Sequence, residues 1–507
     1  MTVNLSPLPL DLKKYSYIPV NRQISSNGVS LFISKVCSDK LTAVHGEKEL
    51  KGRLGLYEIT LTLNEADTKV YMRLRETAGD RKAAEIVLVN LLSMNCFPSR
   101  KDWCIIRVAA AAIMVPEIGK ARELPHRSIL CRRRISSATS SATIVVSIFN
   151  LAVGPVKKGR FRQVSPVIEE VLITDSASNL PLLFELREAV LIEPIDSRFP
   201  NGINDIPILR CIKEMNGGKL PEGFQDMPLV ILNDAQIMKK YKLGNMAEAA
   251  AQAQLTLSGK LSAMRGPVVA LQGLKDFGVC HGDTKPSNWL VTIKEKMPYG
   301  VLADFDGVMI FFKFDWENAT PSERKKMAQK IIQLAYIPIN HDESRPYIPS
   351  TPHTMIDKEK VRWRELFNLI WNDLCRLADG QSLDRELSDF VKNYKIFTAF
   401  FEKIQVFQTG IGVVQILFSN FKLSQDELNK VIKFTANIEN HDASFEILSK
   451  KLKVLFAPNL ELAEACFTFF KGTLNVSAED RFDAAQAIAA YDTILKVEGA
   501  LAPPYLT

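Results

Sequence analysis

The residues best suited to chemistry lie in two short polar motifs. The first is His281-Gly-Asp-Thr-Lys-Pro-Ser-Asn288 and the second is Asp304-Phe-Asp-Gly307. Asn288 offers an amide oxygen and Asp304 a carboxylate. Oxygen donors of this kind suit Mg²⁺, which usually keeps several waters and bridges to phosphates. A fold that brings the two side chains together would therefore make a magnesium site.

A β-hairpin between the motifs would bring them together. Two apolar runs, Trp289 to Ile293 and Val301 to Ala303, are separated by a polar turn that contains Pro298 and Gly300. Apolar runs divided by such residues predict a hairpin. Because the residues that flank its open end lie side by side, we expect the two motifs to be neighbours.

Asp283 and Lys285 add acid–base and charge chemistry to the first motif. The Asp283 carboxylate can accept a proton from a hydroxyl nucleophile, and the Lys285 ammonium can neutralise charge on a phosphoryl group in transfer. Phosphoryl transfer needs few catalytic side chains, because its catalysis consists mostly of positioning and electrostatic stabilisation. The two motifs therefore predict a phosphotransferase.

Together the motifs resemble the catalytic loop and metal-binding motif of the eukaryotic-like protein kinase superfamily. In that family they read His-Arg-Asp-Leu-Lys-Pro-x-Asn and Asp-Phe-Gly. The family's residues are matched here at positions 281, 283, 285, 286, 288, 304 and 305. The resemblance implies that Asp283 is the catalytic base and that Lys285 contacts phosphate. It also implies that Asn288 and Asp304 bind Mg²⁺, with ATP as the phosphoryl donor.

Two positions depart from the family pattern. Gly282 stands where many members carry an arginine that pairs with a phosphorylated activation loop, so this form of control is not expected. Asp306 replaces the glycine of Asp-Phe-Gly, although Gly307 follows. His-Gly-Asp is common in small-molecule kinases that resemble this fold, whereas Lys-Pro-x-Asn is more typical of Ser/Thr protein kinases. The motif lies between the two groups.

The resemblance implies an α+β, bilobal protein-kinase-like fold with a β-rich N-lobe and a helical C-lobe. A chain of 507 residues is long enough for two or three domains. We predict that residues 1–232 contain the N-lobe together with a large insertion or an extra domain. Residues 233–495 would form the C-lobe, with the catalytic loop at 281–288 and the metal motif at 304–307.

Two placements of the N-lobe remain open. The first uses strands at 29–34, 54–63 and 68–75 with a helix at 80–94. It puts Gly52 in a glycine-rich turn and Arg73 or Arg75 at the place of the family's strand lysine. The second uses a glycine-rich loop from Gly159, strands at 167–174 and 182–190, and a helix at 206–215. Its second strand also lacks a lysine, so the lysine that contacts ATP in the family has no clear counterpart.

Several helices are expected to support the catalytic loop. An alanine-rich helix is predicted from Asn245 to Met264, interrupted by Gly266-Pro267, and another from about Pro321 to Leu334. Residues Val361 to Ala378 form an amphipathic pattern that resembles the central buried helix of the kinase C-lobe. The family's Ala-Pro-Glu sequence is absent.

The C-terminal region carries two further signals. Asp483 and Gln486 form a capping pattern before an alanine-rich helix. Arg481 matches an arginine that precedes the final helix in the family, but no glutamate partner for it is visible in the sequence.

Composition bounds the remaining possibilities. The chain is 47% hydrophobic and 24% charged, with a net charge of +7 and no long basic run. We therefore expect a globular protein that binds no nucleic acid. No stretch of about 18 uncharged apolar residues predicts a membrane span, and no signal pattern opens the chain. Eight dispersed cysteines without a Cys-x-x-Cys motif indicate reduced thiols and a cytoplasmic location.

The leading prediction is an ATP- and Mg²⁺-dependent kinase that acts on Ser or Thr of a protein. Two alternatives stay open. Gly282 and the missing Ala-Pro-Glu favour a small-molecule kinase, and the missing strand lysine favours an inactive pseudokinase scaffold. The sequence does not indicate the oligomeric state.

Overall fold

The computed structural model of the protein describes sixteen stretches of the chain: 29–33, 49–54, 57–64, 69–76, 121–124, 128–135, 143–151, 156–158, 162–174, 181–195, 205–231, 235–305, 308–335, 357–383, 386–419 and 441–501. The predicted helix at 80–94, the loop opening at Gly159, and Asp306 with Gly307 lie outside these stretches. The chain divides into two units, residues 1–195 with 228–239, and residues 196–227 with 240–507. The bilobal arrangement and the boundary at residues 232 and 233 stay predictions.

The first unit contains a four-stranded antiparallel sheet. Its strands are β1 (Val29–Ile33), β2 (Glu49–Leu54), β3 (Tyr57–Asn64) and β4 (Lys69–Glu76), in the order β1-β4-β3-β2. The predicted strands are thus present. Gly52 lies inside β2, opposite Ile59, so its placement in a glycine-rich turn is wrong. Gly55, the other glycine of the predicted turn, lies outside the described residues. Pairing with β3 holds Gly52 in an extended strand.

A second antiparallel sheet of eight strands completes the described part of this unit. The strands are β5 (Ala121–Leu124), β6 (Ser128–Ile135), β7 (Thr143–Leu151), β8 (Lys157–Lys158), β9 (Arg162–Thr174), β10 (Pro181–Pro194), β11 (Val230–Ile231) and β12 (Gln236–Lys239). Their order is β11-β12-β10-β9-β7-β6-β5, with β8 paired to β9. Alternate residues of β9 are buried, among them Val167, Glu169 and Val171. The Ser147 hydroxyl donates to the buried Glu169 carboxylate over 2.6 Å.

The second unit is mainly helical. Its helices are α1 (Asp205–Met215), α2 (Met246–Ala251), α3 (Leu257–Asp276), α4 (Pro321–Ala335), α5 (Asp357–Ala378), α6 (Leu387–Phe418), α7 (His441–Leu455), α8 (Leu460–Thr473) and α9 (Ala484–Leu501). Strands β13 (Val279–Cys280) and β16 (Met309–Ile310) pair with each other, as do β14 (Trp289–Lys294) and β15 (Met297–Leu302). One continuous apolar core joins these elements.

The predicted hairpin is β14 and β15, with Trp289 opposite Leu302. Its turn is Glu295-Lys296, whose φ angles of 52° and 68° are those of a tight two-residue turn. The turn predicted around Pro298 and Gly300 is therefore wrong, because both residues lie in β15. A strand of a two-stranded sheet has a free edge, which tolerates proline.

Residues 245–276 form two helices, so the single helix predicted from Asn245 to Met264 is wrong. The Asn245 side chain caps α2 by accepting from the Glu248 N–H. The Thr256 side chain caps α3 by accepting from the Gly259 N–H. Helix α3 then runs through Pro267, so Gly266-Pro267 does not interrupt it.

Gly266 has a packing role instead. A Cβ at this position would lie 1.7 Å from the Gly300 carbonyl oxygen. The backbones of α3 and β15 therefore touch where both elements carry glycine, and α3 supports the hairpin at that point.

The predicted helices at 321–334 and 361–378 are confirmed as α4 and α5. Helix α5 buries one stripe, which includes Trp363, Phe367 and Leu374. Helix α6, by contrast, is buried around nearly its whole circumference from Ile404 to Phe418. The central buried helix is therefore α6, and its assignment to α5 is corrected. A helix that is apolar on all sides belongs in a core, whereas an amphipathic one lies at its edge.

The C-terminal signals gain their partners in the structure. The capping pattern is confirmed, because the Gln486 N–H donates to the Asp483 carboxylate and the Asp483 N–H donates to the Gln486 amide oxygen. Buried Arg481 donates to Glu359 over 2.9 Å, so Glu359 is the partner that the sequence did not reveal. No helix among the described residues combines the length and the apolar character needed to cross a membrane.

Candidate active site

The loop 281–288 lies in the second unit, between β13 and β14. Its first end is held because β13 pairs with β16. Its second end passes through a short 3₁₀ turn, Pro286–Asn288, into the hairpin. Gly282 has a φ of +70°, a left-handed conformation that favours glycine. Backbone geometry thus accounts for glycine at this position.

The structure brings together three of the four predicted site residues within this loop. The Lys285 ammonium lies 2.8 Å from the Asp283 carboxylate, and both side chains are about half exposed. The Asn288 Nδ2 donates to the carboxylate and to the carbonyl oxygen of Asp283, each over 3.0 Å. The carboxylate is therefore oriented from two sides while it stays open to solvent.

The hairpin places the second motif beside the first. The Ala303 N–H donates to the Asn288 carbonyl oxygen over 2.8 Å, and Asp304 follows directly. Asp304 is exposed and has a φ of +66°, a region that aspartate adopts more readily than most residues. Asn288 and the residue before Asp304 are therefore joined by a backbone hydrogen bond, which places the two motifs next to each other.

The residues present fit a magnesium ion. Both Asn288 hydrogens point to Asp283, and its amide oxygen accepts no hydrogen bond from the described part of the chain. That oxygen and the Asp304 carboxylate are both hard-oxygen donors of the kind that Mg²⁺ takes from proteins. Clusters of three or more His, Cys, Asp or Glu able to hold a metal are absent from the described residues.

His281 connects the two motifs. Its Nε2 donates to the Ala303 carbonyl oxygen over 3.1 Å, and its ring meets the Phe305 ring edge-on at 5.1 Å. Burial lowers the pKa of His281, although the negative charges of Asp304 and Asp283 oppose that shift. His281 is therefore a neutral structural residue near pH 7.

Helix α6 holds the loop through polar residues that the sequence analysis missed. The His281 N–H donates to the Gln405 amide oxygen over 2.8 Å. The Gln408 Nε2 donates to the Gly282 carbonyl oxygen over 3.0 Å, and its amide oxygen accepts from the Thr284 hydroxyl over 3.3 Å. Gln405 and Gln408, buried in a largely apolar helical run, are the signal that could have found this clamp, since buried polar groups need partners.

Two further predictions concern residues outside the loop itself. Cys280 is buried, as expected, and burial raises the pKa of its thiol well above the usual range. It is therefore not a thiolate nucleophile beside His281. Arg73 and Arg75 lie in β4 of the first unit, and the replacement for the strand lysine stays an open prediction.

Comparisons with known proteins add a distant structural likeness. No family model matches the sequence, and no curated protein matches it. Among solved structures, the crystal structure of the Rad53 kinase domain and SCD2 is similar at a TM-score of 0.33 and 11% identity. The match covers 68% of this chain and 88% of that one.

Proposed function

We propose that the protein is an ATP-dependent phosphotransferase of the protein-kinase type that transfers a phosphoryl group to a hydroxyl. One observation carries this proposal. The half-exposed Asp283 carboxylate is held by the Asn288 amide at 3.0 Å and by the Lys285 ammonium at 2.8 Å. A fixed carboxylate, a nearby cation and an amide oxygen free for a metal are the parts that phosphoryl transfer uses.

In the proposed mechanism, Asp283 accepts the proton of the attacking hydroxyl. Asn288 donates one hydrogen bond to the Asp283 carboxylate and one to the Asp283 carbonyl oxygen. The base is therefore already positioned when the hydroxyl binds. Lys285 is about half exposed, so its ammonium can reach a phosphoryl oxygen and neutralise the charge that develops there. Bound Mg²⁺, held by Asn288 and Asp304, would supply charge neutralisation on the phosphates of ATP.

We propose Ser or Thr of a protein as the acceptor, on the basis of the sequence Lys285-Pro286 that precedes Asn288. A small-molecule hydroxyl is the alternative, and Gly282 supports it. An inactive scaffold is less well supported, because Asp283, Asn288 and Asp304 are all present. Both placements of the N-lobe stay open. The strands of the second placement, β9 and β10, pair in one sheet of the first unit, whereas its helix is α1, which belongs to the second unit.

We also propose that the protein is located in the cytoplasm. The five cysteines in the described part of the chain, among them Cys280 and Cys466, are free thiols. Free buried thiols suit a reducing environment such as the cytoplasm.

The test is transfer of the γ-phosphate from labelled ATP with Mg²⁺ to generic protein acceptors and, separately, to small hydroxyl compounds. We expect wild-type transfer to be lost in Asp283→Asn and in Asp304→Ala. Asp379→Asn is the matched control, because Asp379 is exposed and lies outside the site. Transfer that persists in Asp283→Asn at the wild-type rate would refute the assignment of the base.

A further inference from the structure

A cavity lies wholly within the second unit, beside the catalytic loop. Its volume is about 560 Å³, and it is lined by the end of α3, by β13, by residues 311–317 and by α6. None of the residues assigned to phosphoryl transfer lines it. Cavities of this size with apolar walls are typical of sites for drug-sized ligands.

The walls of the cavity are unusually aromatic. Six rings line it, namely Phe311, Phe312, Phe314, Trp316, Tyr394 and Phe401. Several of them already hold one another in edge-on contacts, such as Phe314 with Trp316 at 4.8 Å and Trp316 with Tyr394 at 5.5 Å. Ring faces and edges fixed in this way favour a flat aromatic ligand, which gains both buried area and ring contacts.

The charges at the cavity favour a ligand without charge. Each of its three lysines has a carboxylate within reach, with Lys275 lying 3.0 Å from Glu402, Lys313 3.6 Å from Asp276 and Lys395 3.8 Å from Glu317. A charged ligand would have to compete with these pairs and lose its hydration.

One polar group inside the cavity is available to a ligand. Gln405 lines the cavity and is only 3% exposed. Its amide oxygen accepts from the His281 N–H, and its Nε2 makes no hydrogen bond to any residue of the described stretches. This nitrogen is not sealed off from solvent, so a ligand that offers an acceptor there can replace water as its partner.

We propose that this cavity is an effector site for an uncharged aromatic small molecule that carries a hydrogen-bond acceptor such as a carbonyl. The acceptor takes the Gln405 Nε2 hydrogen, and the rings occupy the aromatic walls. Because Gln405 also holds His281, an occupied cavity stabilises the loop in the arrangement that orients Asp283. A ligand that binds one arrangement better than others shifts the population toward it.

The probe is 6-propionyl-2-(dimethylamino)naphthalene, a neutral naphthyl ketone whose emission moves to shorter wavelength in apolar surroundings. We expect saturable binding to the full chain with that shift. Ala399 is exposed and lines the cavity, so Ala399→Trp should block binding. Gln405→Glu keeps an acceptor for His281 but removes the donor, and should weaken binding about tenfold or more. Ala489→Trp, at an exposed alanine of α9 outside the cavity, should bind like wild type.

The coupling is tested by amide hydrogen exchange of the segment 280–284. We expect the bound probe to slow exchange there by about fivefold or more, the lower range for coupled sites. Equal probe binding by wild type and Ala399→Trp, no saturable binding, or unchanged exchange would each overturn the proposal. These readouts do not depend on catalysis.

One further arm rests on the proposed function, because the loop would also hold the phosphates of MgATP. We expect the dissociation constant of MgATP to fall about fivefold with the probe bound. Phosphoryl transfer without probe binding would leave the proposed function standing and remove the effector site. Probe binding with slowed exchange but no phosphoryl transfer would leave the effector site standing and remove the proposed function.

Discussion

Asn288 uses the two ends of its amide differently. The nitrogen end directs two hydrogen bonds to Asp283, and the oxygen end accepts none from the residues that the structure describes. One side chain therefore orients the proposed base and offers a metal ligand at the same time. Neither a carboxylate nor a hydroxyl at this position could do both, because an ionised carboxylate donates nothing and a hydroxyl has one hydrogen.

Asn288→Ala should accordingly reduce kcat for phosphoryl transfer by about 10²-fold, because a small misplacement of a catalytic group costs this much. The measurement is steady-state transfer from labelled ATP. Ser287→Ala is the matched control in the same loop, since Ser287 is exposed and should retain the wild-type kcat. A change of less than twofold in Asn288→Ala would contradict the orienting role.

His281 should make stability depend on pH. Burial lowers its pKa in the folded protein, so the unfolded chain takes up a proton first as the pH falls. The stabilisation is therefore complete above the unfolded value of about 6.5 and is lost as the pH falls from there toward the folded pKa.

We expect His281→Gln, which can still donate to the Ala303 carbonyl, to lose part of this dependence. The measurement is the free energy of unfolding in urea between pH 5 and 8 for both proteins. Parallel curves over that range would show that another group carries the pH dependence.

At the scale of elements, α6 is both core and clamp. Its apolar residues bury it on nearly all sides, and Gln408 reaches the loop with both ends of its amide. Gln408→Met keeps the volume but leaves the Gly282 carbonyl and the Thr284 hydroxyl without this partner. We expect a loss of about 1–3 kcal/mol in the free energy of unfolding and a lower kcat.

The matched control for this clamp is Gln415→Met on the same helix. Gln415 is partly buried and makes no hydrogen bond to the described residues, so its replacement should leave kcat unchanged. Equal effects of the two substitutions on kcat would mean that Gln408 does not act through the loop.

The contact between α3 and β15 predicts that a glycine-to-alanine substitution changes the melting temperature in opposite directions at two glycines. Inside a helix, alanine is more favourable than glycine by about 1 kcal/mol. At Gly499 of α9 nothing lies within 4 Å of an added Cβ, so Gly499→Ala should raise the melting temperature. At Gly266 the Cβ would lie 1.7 Å from the Gly300 carbonyl oxygen, so Gly266→Ala should lower it. A rise in both variants, measured by thermal unfolding, would refute the close approach.

Sequence patterns correctly predicted those elements whose signal comes from residues close together in the chain. The hairpin, α4, α5 and the cap formed by Asp483 with Gln486 all follow from residues near one another in the chain. The prediction from Gly266-Pro267 was wrong because this dipeptide can either interrupt a helix or allow another backbone to approach closely. The position of Gly300 decides which of the two applies.

Contacts between distant residues were out of reach of such patterns. Gln405 and Gln408 meet the loop from more than 120 positions away, and one sequence gives no sign of which helix lies beneath it. For the same reason the amphipathic stripe of α5 was taken for the central helix, although the uniform apolarity of α6 is the better signal of a buried one.

At the scale of the whole molecule, the site, its clamp and the aromatic cavity all belong to the second unit, whereas the four-stranded and eight-stranded sheets belong to the first. The two sequence motifs therefore predict a function for the second unit only. In the second unit, Arg481 joins segments that are far apart in sequence. It donates to Glu359, to the Lys403 carbonyl oxygen and to the Asn475 carbonyl oxygen.

This buried ion pair should matter more to stability than its surface counterparts. The Arg481 side chain is fully buried and that of Glu359 is 9% exposed. Removing one partner leaves the other charge desolvated, so Glu359→Gln should cost about 3 kcal/mol of unfolding free energy. Glu479, 83% exposed and 3.8 Å from Arg362, provides the matched control, and Glu479→Gln should cost less than about 0.5 kcal/mol. Urea unfolding of both variants decides the matter, because equal losses would mean that Arg481 finds its compensation in the backbone carbonyls alone.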